Sequence, residues 1–246
     1  MAGANFMQRQ NGVALWRQIA DRIRTAIADG TYDQTGRLPA EARLASEFSV
    51  NRHTVRAALA SLAQEGVVRA IQGRGTLIER RDRISFPISS RTRFTEGVAG
   101  QASNLEGLLL DAQEEAASPE VARALQVGEG SAVLRLETVR KADGRPLSAA
   151  TGWFPLPRFA GLVDAYRRTG SITRAFALCG LADYLRARTE ISATHAEDRD
   201  LQALGLTPGA IVLVSTAVNV DLDGTVVQYA VSRFPADRVQ LTVTGG

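Results

Sequence analysis

Asn51, Arg52, His53, Thr54 and Arg56 place a helix-capping amide, two guanidiniums, an imidazole and a hydroxyl at the start of one apolar-periodic segment. A helix beginning there points free N–H groups and a positive dipole end outward, which suits phosphate, and an arginine can form paired hydrogen bonds with a guanine edge. A second group, Gln72, Gly73, Arg74 and Gly75, joins two short β-branched runs. Glycines on either side of an arginine let bare backbone and a long cation approach a groove or a phosphate. Farther along, Arg91, Arg93, Arg135 and Arg140, with hydroxyls from Thr95, Ser171 and Thr173, have the chemistry of an anion cradle. Guanidinium forks recognise phosphate, phosphonate and carboxylate. Arg93 and Arg140 are the first choices, against the alternative that these arginines form surface ion pairs with Glu96, Glu137 or Asp143.

Elements must hold these groups in place. Leu15, Ile19, Ile23 and Ile27 recur every fourth position up to Gly30, which predicts an amphipathic helix with a glycine stop. Pro39 opens a short second helix with Leu44, Ala45 and Phe48 inward. Asn51 caps a third helix running to Glu65, with Val55, Leu59 and Leu62 on one stripe and Gly66 ending it. The runs 67–71 and 76–78 read as a hairpin. Three helices and a hairpin describe a winged helix-turn-helix over residues 12–80, followed by a charged linker at 81–88 and a second domain at 89–246.

The second domain reads as α+β with a degenerate repeat. Leu125, Gly130, Val133 and Leu134 return 79 positions later as Leu204, Gly209, Val212 and Leu213. Each copy has a helical approach, a glycine turn, a long strand, an Asp-Gly turn (Asp143-Gly144, Asp223-Gly224) and a second strand. Two antiparallel hairpins sharing one sheet follow, with helices on one side, two of them from 159–166 and 171–178.

Composition narrows the function classes. The 246 residues carry 29 basic and 26 acidic side chains, a net of +3, and Lys141 is the sole lysine. With so little titrating just above neutrality, a pI near 9.5 overstates how basic the chain is. The distribution is more telling: up to Arg83 there are 13 basic and 8 acidic residues, a net of +5, and the remainder nets −2. No run of about 18 apolar residues could span a bilayer and the start lacks a signal-peptide apolar region, so a cytoplasmic location with no membrane partner is expected. Cys179 is the single cysteine, which excludes an internal disulfide and a cysteine-rich zinc site and points to a buried, inert thiol. His195 before Glu197 and Asp198 suits a helix cap better than a metal site, and Asp221-Leu222-Asp223-Gly224 suits a hairpin turn better than a calcium loop. No cofactor is expected and no catalytic constellation stands out.

The stretch Leu38-Pro39-Ala40-Glu41, Leu44-Ala45, Val50 to Leu59, Gly66-Val67-Val68 and Gly73-Arg74-Gly75-Thr76 resembles the DNA-binding domain of the GntR family of bacterial transcriptional regulators. The resemblance implies DNA contacts from Asn51, Arg52, His53, Thr54, Arg56, Gln72, Gly73, Arg74 and the adjoining Gly75. Arg43 stands one residue after the place where relatives often carry arginine, here Ala42. The second domain is similar to the effector-binding (UTRA) domain of the HutC subgroup, a fold related to chorismate lyase, on Ala142 to Leu147, Gln228 to Ser232 and Ala236-Asp237-Arg238. Thr92 to Thr95 and Thr138-Val139-Arg140 look most like regulators of phosphonate metabolism. Thr138 stands where related sensors carry an arginine and Gln228 where they carry a glutamate, which disfavours an amino-sugar and keeps a compact anion; Tyr229 adjoins that position. The resemblance implies a homodimeric repressor that reads an inverted-repeat operator in double-stranded DNA and answers to a small anionic effector. Two alternatives stand beside it: an enzyme of chorismate-lyase-like fold with an appended DNA-binding domain, and a DNA-binding dimer that needs no ligand.

Overall fold

The computed structural model describes residues 14–32, 35–64, 66–73, 75–78, 83–91, 93, 97–98 and 100–243. The chain divides into two compact units between residues 81 and 82.

In the first unit the fourfold apolar spacing becomes α1 (Leu15–Ala28), which buries Ile19 and Ile23 completely. Pro39 precedes α2 (Glu41–Glu47), whose Leu44 and Ala45 turn inward. The Asn51 carboxamide oxygen accepts from the Thr54 backbone N–H at 2.8 Å and the Thr54 hydroxyl at 2.9 Å, capping α3 (Arg52–Gln64). Val55, Leu59 and Leu62 of α3 meet Ile19, Ile23, Leu44 and Val68 in one core. Each such side chain, fully buried, contributes about 1.5–3 kcal/mol. Gly66, at φ +70°, reverses the chain into β1 (Val68–Ile71), which pairs antiparallel with β2 (Gly75–Ile78). Leu38 donates to the Thr76 carbonyl at 2.9 Å, tying the chain ahead of α2 to the hairpin. This is the expected winged helix-turn-helix.

The second unit begins with β3 (Ile84–Ile88), which pairs in parallel with β10 (Val239–Val243). The expected linker 81–88 is therefore a strand over its second half: Phe86 and Ile88 are buried, and Ile84 packs against their cluster. Between these ends run β4 (Leu105–Ala116), α4 (Pro119–Leu125), β5 (Ala132–Ala142), β6 (Arg145–Pro155), α5 (Leu162–Thr169), α6 (Ile172–Leu178), β7 (Leu185–His195), α7 (Asp198–Leu204), β8 (Ile211–Val220) and β9 (Val226–Pro235). The six long strands form one antiparallel sheet in the order β4-β5-β6-β9-β8-β7. The repeat is thus strand, helix, hairpin, twice over, and the copies meet at β6 and β9.

Helices cover both faces, not one side as the sequence suggested. Leu134, Leu136 and Phe154 pack under α5 and α6 with Phe159, Tyr166 and Phe176. Their neighbours Val133 and Trp153, with Tyr229, turn to the opposite face and meet Val121, Ala122 and Leu125 of α4. Successive strand side chains alternate, so consecutive apolar residues such as Val133-Leu134 need two covers. Asp143 and Gly144 take φ +49° and +77°, as the tight β5–β6 turn requires. Gly107 meets the turn at Gly170 so closely that a Cβ would lie 1.9 Å from its carbonyl oxygen.

Candidate nucleic-acid interface and effector cavity

The N-terminal candidates assemble on the surface of the first unit. Asn51, Arg52, His53 and Arg56 are exposed on the first turns of α3, beside a half-buried Thr54. Gln72, Gly73 and Gly75 are exposed at the hairpin tip, and Arg43 is exposed on α2. Arg74, the wing-tip cation, lies outside the described residues. Gly73 and Gly75 take φ +74° and +82°, with open space where a side chain would stand. The Asn51 oxygen is engaged as the cap, which leaves its NH2 as the group to offer a ligand. Arg56 pairs with Glu41 of α2 at 2.9 Å, both groups in contact with water. That pair holds the Glu41 carboxyl below the usual carboxylate range and raises Arg56. Exposed ion pairs contribute little to stability. A phosphate can therefore replace Glu41 as the partner of Arg56.

The effector candidates separate. A cavity of about 100 Å³ opens on the α5–α6 face of the sheet, and Thr138, Arg140, Thr173 and Gln228 line it. Burial holds the Arg140 guanidinium below the ordinary arginine range, while the Tyr166 and Tyr184 hydroxyls work the other way and Arg174 adds to the depression. The Thr173 and Tyr184 hydroxyls share a hydrogen bond of 2.9 Å at its rim. Ser171 is buried as the cap of α6, accepting from the Arg174 N–H at 3.4 Å. Arg93 is buried against Tyr184, its guanidinium 3.6 Å from the ring centroid, and donates to the Asp183 carboxylate at 2.8 Å and to the Tyr184 carbonyl. Arg91 pairs with the other oxygen of Asp183. Arg93 and Arg91 thus hold a cavity-wall tyrosine and are not among the lining residues.

Arg135 and Tyr229 stand on the opposite face. Arg135 pairs with Asp111, Glu115 and Glu137, as the ion-pair alternative had it for Glu137. Tyr229 stacks on Trp153 with centroids 5.3 Å apart and donates to Glu120 at 2.6 Å. Asp143 accepts from the Ser103 and Asn104 N–H groups and serves the turn. Thr95 and Glu96 lie outside the described residues.

Sequence reasoning missed Ser148, Tyr184, Arg186, Ser215, Asn219 and Ser232, all of which line the cavity. A signal existed for Ser215 and Asn219, which with Thr216 are the polar residues of an otherwise apolar strand and stand four apart on one face. None existed for Arg186, which falls on the polar side of the alternating run Leu185-Arg186-Ala187-Arg188, and the register shift between Arg186 and Arg188 has no local mark in the sequence. The rejected metal readings resolve as structure: Glu197 and Asp200 form a capping box on α7, and Asp221 accepts from Thr225 and Asp223 in the turn after β8. Cys179 is half-buried, not buried as expected, with its thiol pushed up by desolvation.

Known proteins align with both units. Residues 15–78 match the family described as bacterial regulatory proteins, gntR family, and residues 101–240 match the UTRA domain. An HTH-type transcriptional regulator of Rhizobium meliloti (strain 1021) is 55% identical over 240 residues, 98% of each chain. The probable transcriptional regulator PhnF of Escherichia coli (strain K12) is 32% identical over 217 residues, 84% of this chain and 85% of that one. The crystal structure of PhnF from Mycobacterium smegmatis superposes with a TM-score of 0.62 at 27% identity, covering 91% of this chain and 99% of that chain. Family and relatives are regulators of transcription and not enzymes. With the wing, the capped α3 and the two-repeat sheet in place, the chain belongs to the GntR family, as a DNA-binding transcriptional regulator whose second domain is a UTRA domain.

Proposed function

We propose that the protein is a cytoplasmic, homodimeric repressor that reads an inverted-repeat operator and is controlled by a small anion, a phosphonate or a phosphate-bearing metabolite. Arg52, His53, Thr54, Arg56 and the Asn51 NH2 serve as the contacts of α3, Gln72 to Gly75 as those of the wing, and Arg43 as a flanking phosphate contact. A dimer is required because one short helix spans too few base pairs for specificity, whereas a two-fold pair reads half-sites about one helical turn apart. Repressor relatives support the sign: NagR of Bacillus subtilis (strain 168), 26% identical over 232 residues, is named a transcriptional repressor.

The observation that carries the effector assignment is Arg140, a desolvated guanidinium lining a cavity beside the Thr138 and Thr173 hydroxyls. An anion in that cavity would meet a guanidinium that has given up most of its water, where a charge-assisted hydrogen bond is at its strongest. Calorimetric titration of the full-length protein with inorganic phosphate, methylphosphonate and ethylphosphonate tests it. Binding that Arg140→Gln weakens at least about tenfold, the worth of one charge-assisted pair, is expected. Equal affinity in wild type and Arg140→Gln would place the anion elsewhere.

A further inference from the structure

The cavity has a second polar end. Arg186 of β7 stands opposite Asn219 of β8, and Asn219 opposite Gln228 of β9. Asn219 and Gln228 are four residues along their strands from Ser215 and Ser232, which continue the row of Thr138 and Ala150. Four residues of strand span about 13 Å. Between the two rows the floor is Gly152 opposite Ala230, small enough to leave room for a ligand. Arg140 lies two residues beyond Thr138, away from the Asn219 row, so the two arginines mark opposite ends.

Two buried atoms at the Arg186 end are unpartnered. Asn219, 4% exposed, donates its NH2 to the Gln228 side-chain Oε1 at 2.7 Å, which leaves its own Oδ1 with no donor. The Arg186 Nε–H is buried with no acceptor. A buried polar atom without its hydrogen bond is costly, so a ligand that supplies both partners gains doubly. The group required accepts from a guanidinium and donates to an amide carbonyl: a carboxylate with a neighbouring hydroxyl has both. No Asp or Glu lines the cavity among the described residues, so an ammonium group would face arginine with no counter-charge.

We infer that Arg186 and Asn219 form a second effector subsite, and that the effector is a compact hydroxy-acid carrying two anionic groups, one for Arg140 and one, beside its hydroxyl, for Arg186. This rests on the cavity being the effector site. Three matched probes separate its parts in calorimetry on the full-length protein: ethylphosphonate, 3-phosphonopropionate, which adds a carboxylate, and 2-hydroxy-3-phosphonopropionate, which adds the hydroxyl.

Each addition tightens binding to wild type, the carboxylate by about tenfold or more. Arg186→Gln removes the carboxylate gain and Asn219→Leu the hydroxyl gain, while ethylphosphonate binds both variants as it binds wild type. Arg186→Lys, which keeps the charge, retains most of the carboxylate gain and guards against a folding defect in the glutamine variant. Wild type that binds all three probes alike, or gains that persist in Arg186→Gln and Asn219→Leu, would overturn the subsite and leave Arg140 standing. Failure of all three probes to bind wild type, or indifference to Arg140→Gln, would overturn the cavity as effector site and the subsite with it.

Discussion

Asn51 shows how one side chain serves fold and function at once. Its carbonyl oxygen is engaged by the Thr54 N–H and hydroxyl, so its capping role is visible without DNA. Asn51→Ala should lower unfolding free energy by about 1 kcal/mol in urea titrations. Asn51→Ser keeps a capping oxygen and should keep the stability. If the Asn51 NH2 also touches DNA, the serine variant loses operator affinity at unchanged stability, and a variant that loses neither removes Asn51 from the contacts. Arg56 and Arg93 make the complementary point. Both are ion-paired arginines, yet Arg56 faces water and can exchange Glu41 for phosphate, whereas Arg93 is buried between Asp183 and the Tyr184 ring and holds the fold of the cavity wall.

At the scale of elements, the apolar stripe of α3 is the part that orients the proposed DNA contacts. Leu62 is fully buried in the core of the first unit, and Leu62→Ala should cost about 2–5 kcal/mol, read from the urea midpoint. An exposed neighbour such as Ala60→Ser should cost far less, and equal losses would show that α3 is not anchored by this stripe. The elements built on such stripes were legible: α1, α3, the wing and both Asp-Gly hairpins follow from apolar spacing and turn chemistry that act locally. The edge strands β4 and β7 were not. β4 carries a bulge between Leu109 and Asp111 that breaks its alternation, and β7, although it alternates apolar with polar residues, shifts register between Arg186 and Arg188 and is exposed along most of its length, so its alternation marks no buried face. Missing β7 meant missing Arg186. The parallel pair of β3 with β10 joins segments more than 150 residues apart, and nothing local announces such a pairing. Arg140 was found from its guanidinium chemistry, Thr138 and Gln228 because the family resemblance marked their positions, and Arg135 and Tyr229 were misplaced by one step of strand alternation.

At the scale of the whole molecule, the strand that follows the division at residues 81 and 82 is itself a wall of the cavity. Phe86 of β3 lines it and stacks near Phe234 at 5.5 Å, while the Gln101 side chain clamps the Ser85 N–H and carbonyl at 2.8 Å each. A ligand that displaces Phe86 would act on β3, the first described strand of the second unit. Coupling of that kind is a difference in effector affinity between two states. Phe86→Ala should bind the anion with little change and release operator poorly when saturated, measured by paired calorimetry and anisotropy; release equal to wild type would exclude β3 as the route. The charge distribution accords with the proposal, with a net of +5 up to Arg83, where the proposed DNA contacts lie, and a net of −2 in the remainder.

The central claim is that the start of α3 reads DNA, and fluorescence anisotropy on an operator selected from random sequence tests it most directly. Wild type should bind with a steep logarithmic loss of affinity as salt rises, about 0.9 decades per decade of salt for each phosphate neutralised. Arg52→Ala and Arg56→Ala should abolish specific binding while melting at the wild-type temperature. Specific, salt-steep binding that survives in both variants would contradict the account.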